Sequence, residues 1–217
     1  QAVLEQQLGQ HGGLRVGGIR SPRACRKAAF LGALEQGQLV TQRIGLIATV
    51  STSYSEPYNV ARHFASLDQL SGGRVGWNVV TSTDGGENFN LGQHRDHAER
   101  YERAHEFVDV VTGLWDSWAD DAFLEDKAQR RWADPDKLHV LNHAGKHFRV
   151  KGAGNAARPI QGWPVLAQAG SSEAGKQLAA RIGELLYTAA ENMDDARHFY
   201  ADVKARAAAL GRQPEHI

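Results

Sequence analysis

The chain alternates between two kinds of hydrophobic pattern. "RIGLIATVS" (43–51) is an unbroken apolar run with β-branched residues, the mark of a strand buried on both faces. "SEPYNVARHFASLDQLSGG" then switches to a helical period. Val60, Phe64 and Leu67 share a face, Pro57 suits a first turn, and Gly72-Gly73 is a stop. The same pair recurs. A buried strand over 73–82 precedes the clearest helix, 97–118, where Tyr101, Ala104, Val108, Val111, Trp115 and Trp118 form one apolar stripe opposite a face of Glu, Arg and Asp. Pro164–Ala169 reads as a strand and Glu173–Ile182 as a helix. "GELLYTAAE" (183–191) reads as another short strand and leads to a last helix from Met193, with Ala196, Phe199, Val203 and Leu210 inward and Gly211 as its stop. Four strand–helix repeats predict an α/β fold with a parallel sheet, either doubly wound or a (β/α)8 barrel.

Two stretches break the rhythm. Residues 1–40 are Gly- and Arg-rich without a sustained period and read as loop, with a helix over 26–40. Residues 119–163 are long, charged and turn-rich, as expected of a functional insertion, with "GKHFRVKG" (145–152) as a hairpin arm. Residues 84–96 read as a loop.

Composition narrows the function. The chain has 217 residues, 41% of them hydrophobic, with 25 Lys and Arg against 25 Asp and Glu. A zero net charge argues against nucleic acid as a partner. The single cysteine, Cys25, excludes a disulfide framework and points to the cytoplasm, and no apolar run is long enough for a membrane span.

Polar residues gather at the four predicted strand ends: Thr49 and Ser51; Asn78, Thr81 and Ser82; Gln168 with Ser171; and Thr188. The carboxyl ends of parallel strands form the binding edge of such folds. The turn Gly170-Ser171-Ser172 between a strand and a helix is either a cap, through Ser171, or an anion site at a helix N-terminus. Walker, dinucleotide and nucleophile-elbow motifs are absent. His139, His143 and His147 are spaced by four, as in a helix-face metal cluster, but Gly145 interrupts that helix. His94 and His97 raise the same question and carry no other metal signature.

The ordered motifs "IATVSTSYSEPYNVARHFASLDQLSGGRVGWNVVTS", "ENFNLGQHRDHAERYERAHEFVDVVTGLWDSW", "DPDKLHVLNHAGKHFRVKG" and "QGWPVLAQAGSSEAG" closely resemble the bacterial-luciferase-like flavin monooxygenases. The branch is that of the nitrilotriacetate, EDTA and dibenzothiophene-sulfone monooxygenases. The likeness runs from about Thr41 to Ile217, giving a partial barrel domain over 41–217 and an unmatched segment over 1–40. It implies a (β/α)8 TIM barrel of which this sequence covers about strands three to six. It also implies reduced FMN supplied by a separate NAD(P)H-dependent flavin reductase, O2 and a small aminopolycarboxylate- or sulfone-like substrate, and a homodimer or homotetramer in the intact family. Residue by residue, Thr49 and Asn78 resemble contacts to the isoalloxazine ring. His97 and Tyr101 resemble a pair near the ribityl-phosphate chain, and Gly170, Ser171 and Ser172 the phosphate turn. The resemblance names no catalytic residue; His97 is the one candidate. Three alternatives are a truncated remnant that binds FMN without turnover, a metal-dependent hydrolase on the His-rich segments, and a deazaflavin-dependent oxidoreductase.

Overall fold

The computed structural model describes residues 41–90 and 93–217, so the loop and helix expected over 1–40 lie outside the described residues. Strand β1 (Leu46–Ser51), helix α1 (Pro57–Ser71), strand β2 (Val75–Val80) and helix α2 (His97–Trp115) come first. Two short antiparallel hairpins follow, β3 (Phe123–Asp126) with β4 (Arg131–Ala133) and β5 (His143–Ala144) with β6 (Arg149–Val150). Strand β7 (Val165–Gln168), helix α3 (Glu173–Ile182), strand β8 (Leu185–Leu186) and helix α4 (Met193–Ala209) complete the described chain.

The sheet is parallel throughout, in the order β1-β2-β7-β8. Strand order follows chain order without reversal. A doubly wound sheet reverses at its switch point, whereas uniform right-handed crossovers lay every helix on one face, as in a barrel wall. Of the two architectures left open by the pattern, this is the barrel: four parallel strands of a (β/α)8 fold.

Trp77 organises the core. It is fully buried in β2, its ring centroid 5.9 Å from Phe64 of α1, and 5.8 and 6.5 Å from Phe107 and Trp115 of α2. Its indole donates to Val50 O at 3.1 Å, and the Trp115 indole to Ala61 O at 2.9 Å, so both buried N–H groups are satisfied. Because Trp77 and Val79 face the helices, the pleat turns Gly76 and Asn78 to the opposite face, the barrel interior. Gly76 has no room for a side chain there: a Cβ would lie 2.9 Å from Val165 O.

The structure departs from the pattern at four places. Helix α2 buries a second row, Phe107, Val110 and Leu114, and also Arg103, which the amphipathic reading placed in solvent. The insertion covers that row: Phe148 meets Phe107 edge to face at 5.5 Å. The helix ends at Trp115 rather than 118, and Trp118 turns off to bridge Leu138 and to donate its indole N–H to Gly154 O. Strand β8 is only two residues long. Leu210 is 46% exposed at the end of α4; Ala207 continues the inward row from Val203 before the chain turns at Gly211.

Candidate functional site

The carboxyl edge of the sheet separates satisfied polar groups from unsatisfied ones. Ser51 and Ser82 share a hydrogen bond of 2.7 Å, Ser53 Oγ accepts from Ser82 N, and Thr52 Oγ1 donates to Val80 O. These bonds tie the loop after β1 to the end of β2. Thr49 and Asn78 differ. They are opposed in the β1–β2 register, and Asn78 Nδ2 donates to Thr49 Oγ1 at 3.1 Å. Asn78 Oδ1 is buried with no partner. A buried amide oxygen without a donor is costly, so this acceptor faces the barrel interior ready for an N–H or O–H group.

At β7 the chain is crimped. Gln168, 5% exposed, turns Oε1 back to accept the Gly170 N–H at 2.7 Å. A Cβ on Gly170 would lie 2.5 Å from Gln168 Nε2, 2.9 Å from Gly175 Cα and 3.1 Å from the Tyr101 hydroxyl; one on Gly175 would lie 2.9 Å from Gly170 C. The two glycines therefore pack backbone on backbone, with Tyr101 wedged against both. Ser172, not Ser171, caps α3: its Oγ accepts from Gly175 N at 3.1 Å. That corrects the expected cap, and the reason is register. The helix starts at Glu173, so the residue before it holds the capping position.

What remains is a set of donors. Among the described residues the N–H groups of Ser171, Ser172, Glu173 and Ala174 donate to no backbone or side-chain acceptor, as expected of a helix start, and the Ser171 side chain is exposed and unengaged. Gly170 contributes geometry rather than a donor, because Gln168 occupies its N–H. The one carboxylate in the first turn, Glu173, is drawn off by Lys176 at 3.0 Å and Arg206 at 2.6 Å, both of which also bind Asp202 of α4. Those partners hold its carboxyl below the usual carboxylate range. The positive helix end is thus left facing solvent, beside a cavity of about 390 Å³ lined by Ser171, Thr188, His198 and Phe199 among others. The His97 and Tyr101 rings lie 4.8 Å apart, tilted at 47°, at the start of α2, and Tyr101 reaches the crimped turn; His97 itself is exposed.

The histidine run does not converge. His143 Nε2 sits 2.9 Å from Glu106 Oε1, whose carboxylate also accepts from His147 N and Phe148 N. Burial would raise the Glu106 carboxyl, but these three donors outweigh it and hold it below the usual range. Among the described residues no three His, Cys, Asp or Glu side chains could hold a metal ion, so the hydrolase alternative has no cluster to stand on there. The residues act instead as a clasp holding the β5–β6 hairpin on α2. Sequence reading missed Gly175, the clamp role of Gln168, and the burial of Arg103; the first was visible only as a second glycine five residues after Gly170.

A parallel sheet in chain order, with a donor-lined strand–helix turn and an unpaired amide on the interior face, defines an α/β barrel wall. The particular family follows from comparison. The model of the luciferase-like monooxygenases matches residues 29–217, and the chain belongs to that family. It is 51% identical over 190 residues to N-acetyl-S-(2-succino)cysteine monooxygenase of Bacillus subtilis (strain 168), covering 87% of this chain and 42% of the relative. It is 50% identical over 181 residues to nitrilotriacetate monooxygenase component A of Aminobacter aminovorans, covering 82% of this chain and 40% of the relative. A crystal structure of a riboflavin lyase with modified FMN and riboflavin superposes with a TM-score of 0.83 at 36% identity, over 93% of this chain and 47% of that one. The chain spans about two fifths of the length of these curated relatives. No helix among the described residues is long and apolar enough to cross a membrane.

Proposed function

We propose that the chain forms the flavin-phosphate side of a two-component monooxygenase, which uses reduced FMN from a separate flavin reductase and O2 to oxidise a small organic substrate. The observation that carries the reading is the turn after β7: four free backbone amides and the Ser171 hydroxyl at the positive end of α3. A phosphate accepts such donors without needing a basic residue, which fits a chain of zero net charge. The glycine pair and the Gln168 clamp make the cradle that a Cβ would fill.

In this reading Ser171 and the amides of 171–174 hold the phosphate, Tyr101 and His97 line the ribityl chain, and Thr49 and Asn78 meet the ring's polar edge through the free Asn78 Oδ1. The bound flavin supplies the redox chemistry and oxygen activation; the chain binds and orients it and keeps water from the interior face. His97, exposed beside Tyr101, is the proposed proton-handling group. A relative named as component A of its system supports a partner reductase. The family match over residues 29–217 supports assignment to a barrel enzyme of this family, with the remnant reading as the alternative. FMN titration of the full chain, followed by analysis of oxidised product from aminopolycarboxylates and sulfones with a flavin reductase, NADH and O2, separates them; free reduced FMN consumes O2 by itself, so the product and not oxygen uptake is read. Binding with product that disappears when the chain is omitted supports the enzyme, binding without product supports the remnant, and no FMN binding ends both.

A further inference from the structure

The loop after β1 and the shoulder of α2 enclose a second polar crevice, lined by Ser53, Tyr54, His94, Arg95, Arg100 and Arg103. It holds three guanidinium groups and no carboxylate. Arg95 is paired with Glu99 at 3.2 Å. Arg100 gives Nη1 to Arg95 O at 2.7 Å, but its Nε is buried without an acceptor. Arg103 is 8% exposed; its guanidinium lies 4.4 Å from the Phe148 ring centroid and 5.7 Å from that of Phe107, and its Nη1 is buried without an acceptor. Among the described residues neither Arg100 nor Arg103 forms an ion pair.

Two ring faces stabilise the Arg103 cation in part, but they leave its in-plane N–H donors unanswered. Buried charges in folded proteins are paired, and the exceptions call for an explanation. Burial, and then the charge of Arg95, weaken the protonated form of Arg103, and the carboxylates of Glu56, Glu106 and Glu99 offset this only in part. An oxyanion between the guanidiniums would answer the donors and relieve the repulsion together. The crevice opens at the sheet's carboxyl edge, because Ser53 and Tyr54 follow β1 directly and Arg95 and Arg100 flank the start of α2. The crevice has no room for a water molecule as it stands; at its lining His94 Nδ1 lies 3.4 Å from the Tyr54 hydroxyl, and the Tyr54 ring is stacked on Phe89 at 4.5 Å.

We propose that Arg100 and Arg103 form an oxyanion subsite for a carboxylate of the substrate, which places that substrate among organic acids rather than neutral sulfones. The inference rests on the monooxygenase reading above. The flavin phosphate is the other source of the same chemistry, and the test separates the two.

The full chain, with Arg100→Met and Arg103→Met, is titrated by tryptophan fluorescence with four probes: nitrilotriacetate, dimethyl sulfone, FMN and riboflavin. Saturable nitrilotriacetate binding is expected, weakened at least tenfold in each variant, with dimethyl sulfone not bound and the FMN-to-riboflavin affinity ratio unchanged. Thermal melts of the variants should match or exceed the parent, because removing an unpaired buried charge while keeping apolar volume is neutral or stabilising. Equal nitrilotriacetate affinity in parent and variants overturns the subsite, as does a collapse of the FMN-to-riboflavin ratio, which would assign the guanidiniums to the phosphate. A lowered melting temperature with unchanged affinities would make Arg103 a packing residue and also overturn it. Should Arg103→Met not fold, Arg100→Met carries the same readings. Loss of the flavin reading shows separately, as absent FMN binding with carboxylate binding retained.

Discussion

Two donor-rich places lie along the same sheet edge, and they are built in opposite ways. At the turn after β7 the donors are neutral backbone amides, and the nearby carboxylate and the Lys176 cation that lines the same cavity are already paired, Glu173 with Lys176 and Arg206 and Lys176 also with Asp202. At the shoulder of α2 the donors are guanidiniums, two of them with buried, unanswered N–H groups. The turn is cheap to keep empty, because its amides are exposed to water. The crevice is costly to keep empty, because its charge is not. A neutral cradle suits an anion that stays in one place and orients a cofactor, whereas a charged crevice discriminates between ligands that carry an acid group and ligands that do not.

The comparison breaks most sharply at Gly170. Gly170→Ala puts a methyl 2.9 Å from Gly175 Cα and 2.5 Å from the Gln168 amide. A cost of about 1–3 kcal/mol in stability is expected from overpacking, with FMN binding abolished in a titration while the α2 crevice is untouched. Gly175→Ala sharpens it: in an ordinary helix that change stabilises by up to about 1 kcal/mol, but here the clash with Gly170 C reverses the sign, which a denaturant melt reads directly. Ser171→Ala should leave stability alone and weaken FMN by about 1.5–3 kcal/mol, measured by fluorescence quenching. Ser172→Ala should do the reverse, costing about 1 kcal/mol of stability through the lost cap with little effect on ligand contact.

The smallest effect concerns the Glu106 clasp beside the crevice. Its carboxyl is held below the ordinary value of 4.5 in the folded chain, so its contribution is complete above that value and fades as pH falls through the lowered one. Amide exchange in the β5–β6 hairpin should therefore match the global rate law between pH 8 and 5, speed up beyond it under more acidic conditions, and show the faster behaviour at every pH in Glu106→Gln. A hairpin indifferent to both would mean that Phe148 packing alone holds it.

The contrast also explains what was legible in the chain. Buried parallel strands announce themselves as apolar runs, so β1, β2 and β7 lie within the stretches that the pattern marks, and α1 and α3 begin where Pro57 and Glu173 suggest. The donor-lined turn was visible because glycine, serine and a helix start are local features. Its internal division of labour was not: which serine caps depends on where the helix begins, and the Gln168 clamp on a side chain folding back two residues. The crevice was invisible for a stronger reason. An arginine on a polar stripe reads as solvent-facing, and only the insertion, returning to lay Phe148 against α2, buries Arg103. Leu210 misled in the other direction, because its place in the period was right but the helix had ended.

The measurement that tests the central claim most directly is the ratio of FMN to riboflavin affinity for the full chain and for Ser171→Ala. The two flavins differ only in the phosphate, so the ratio isolates the turn from the ring contacts proposed for Thr49 and Asn78. The account predicts that FMN binds more tightly than riboflavin and that the substitution narrows the gap by roughly ten- to a hundredfold, leaving riboflavin affinity unchanged. Equal affinities for the two flavins, or a ratio indifferent to Ser171, would contradict it.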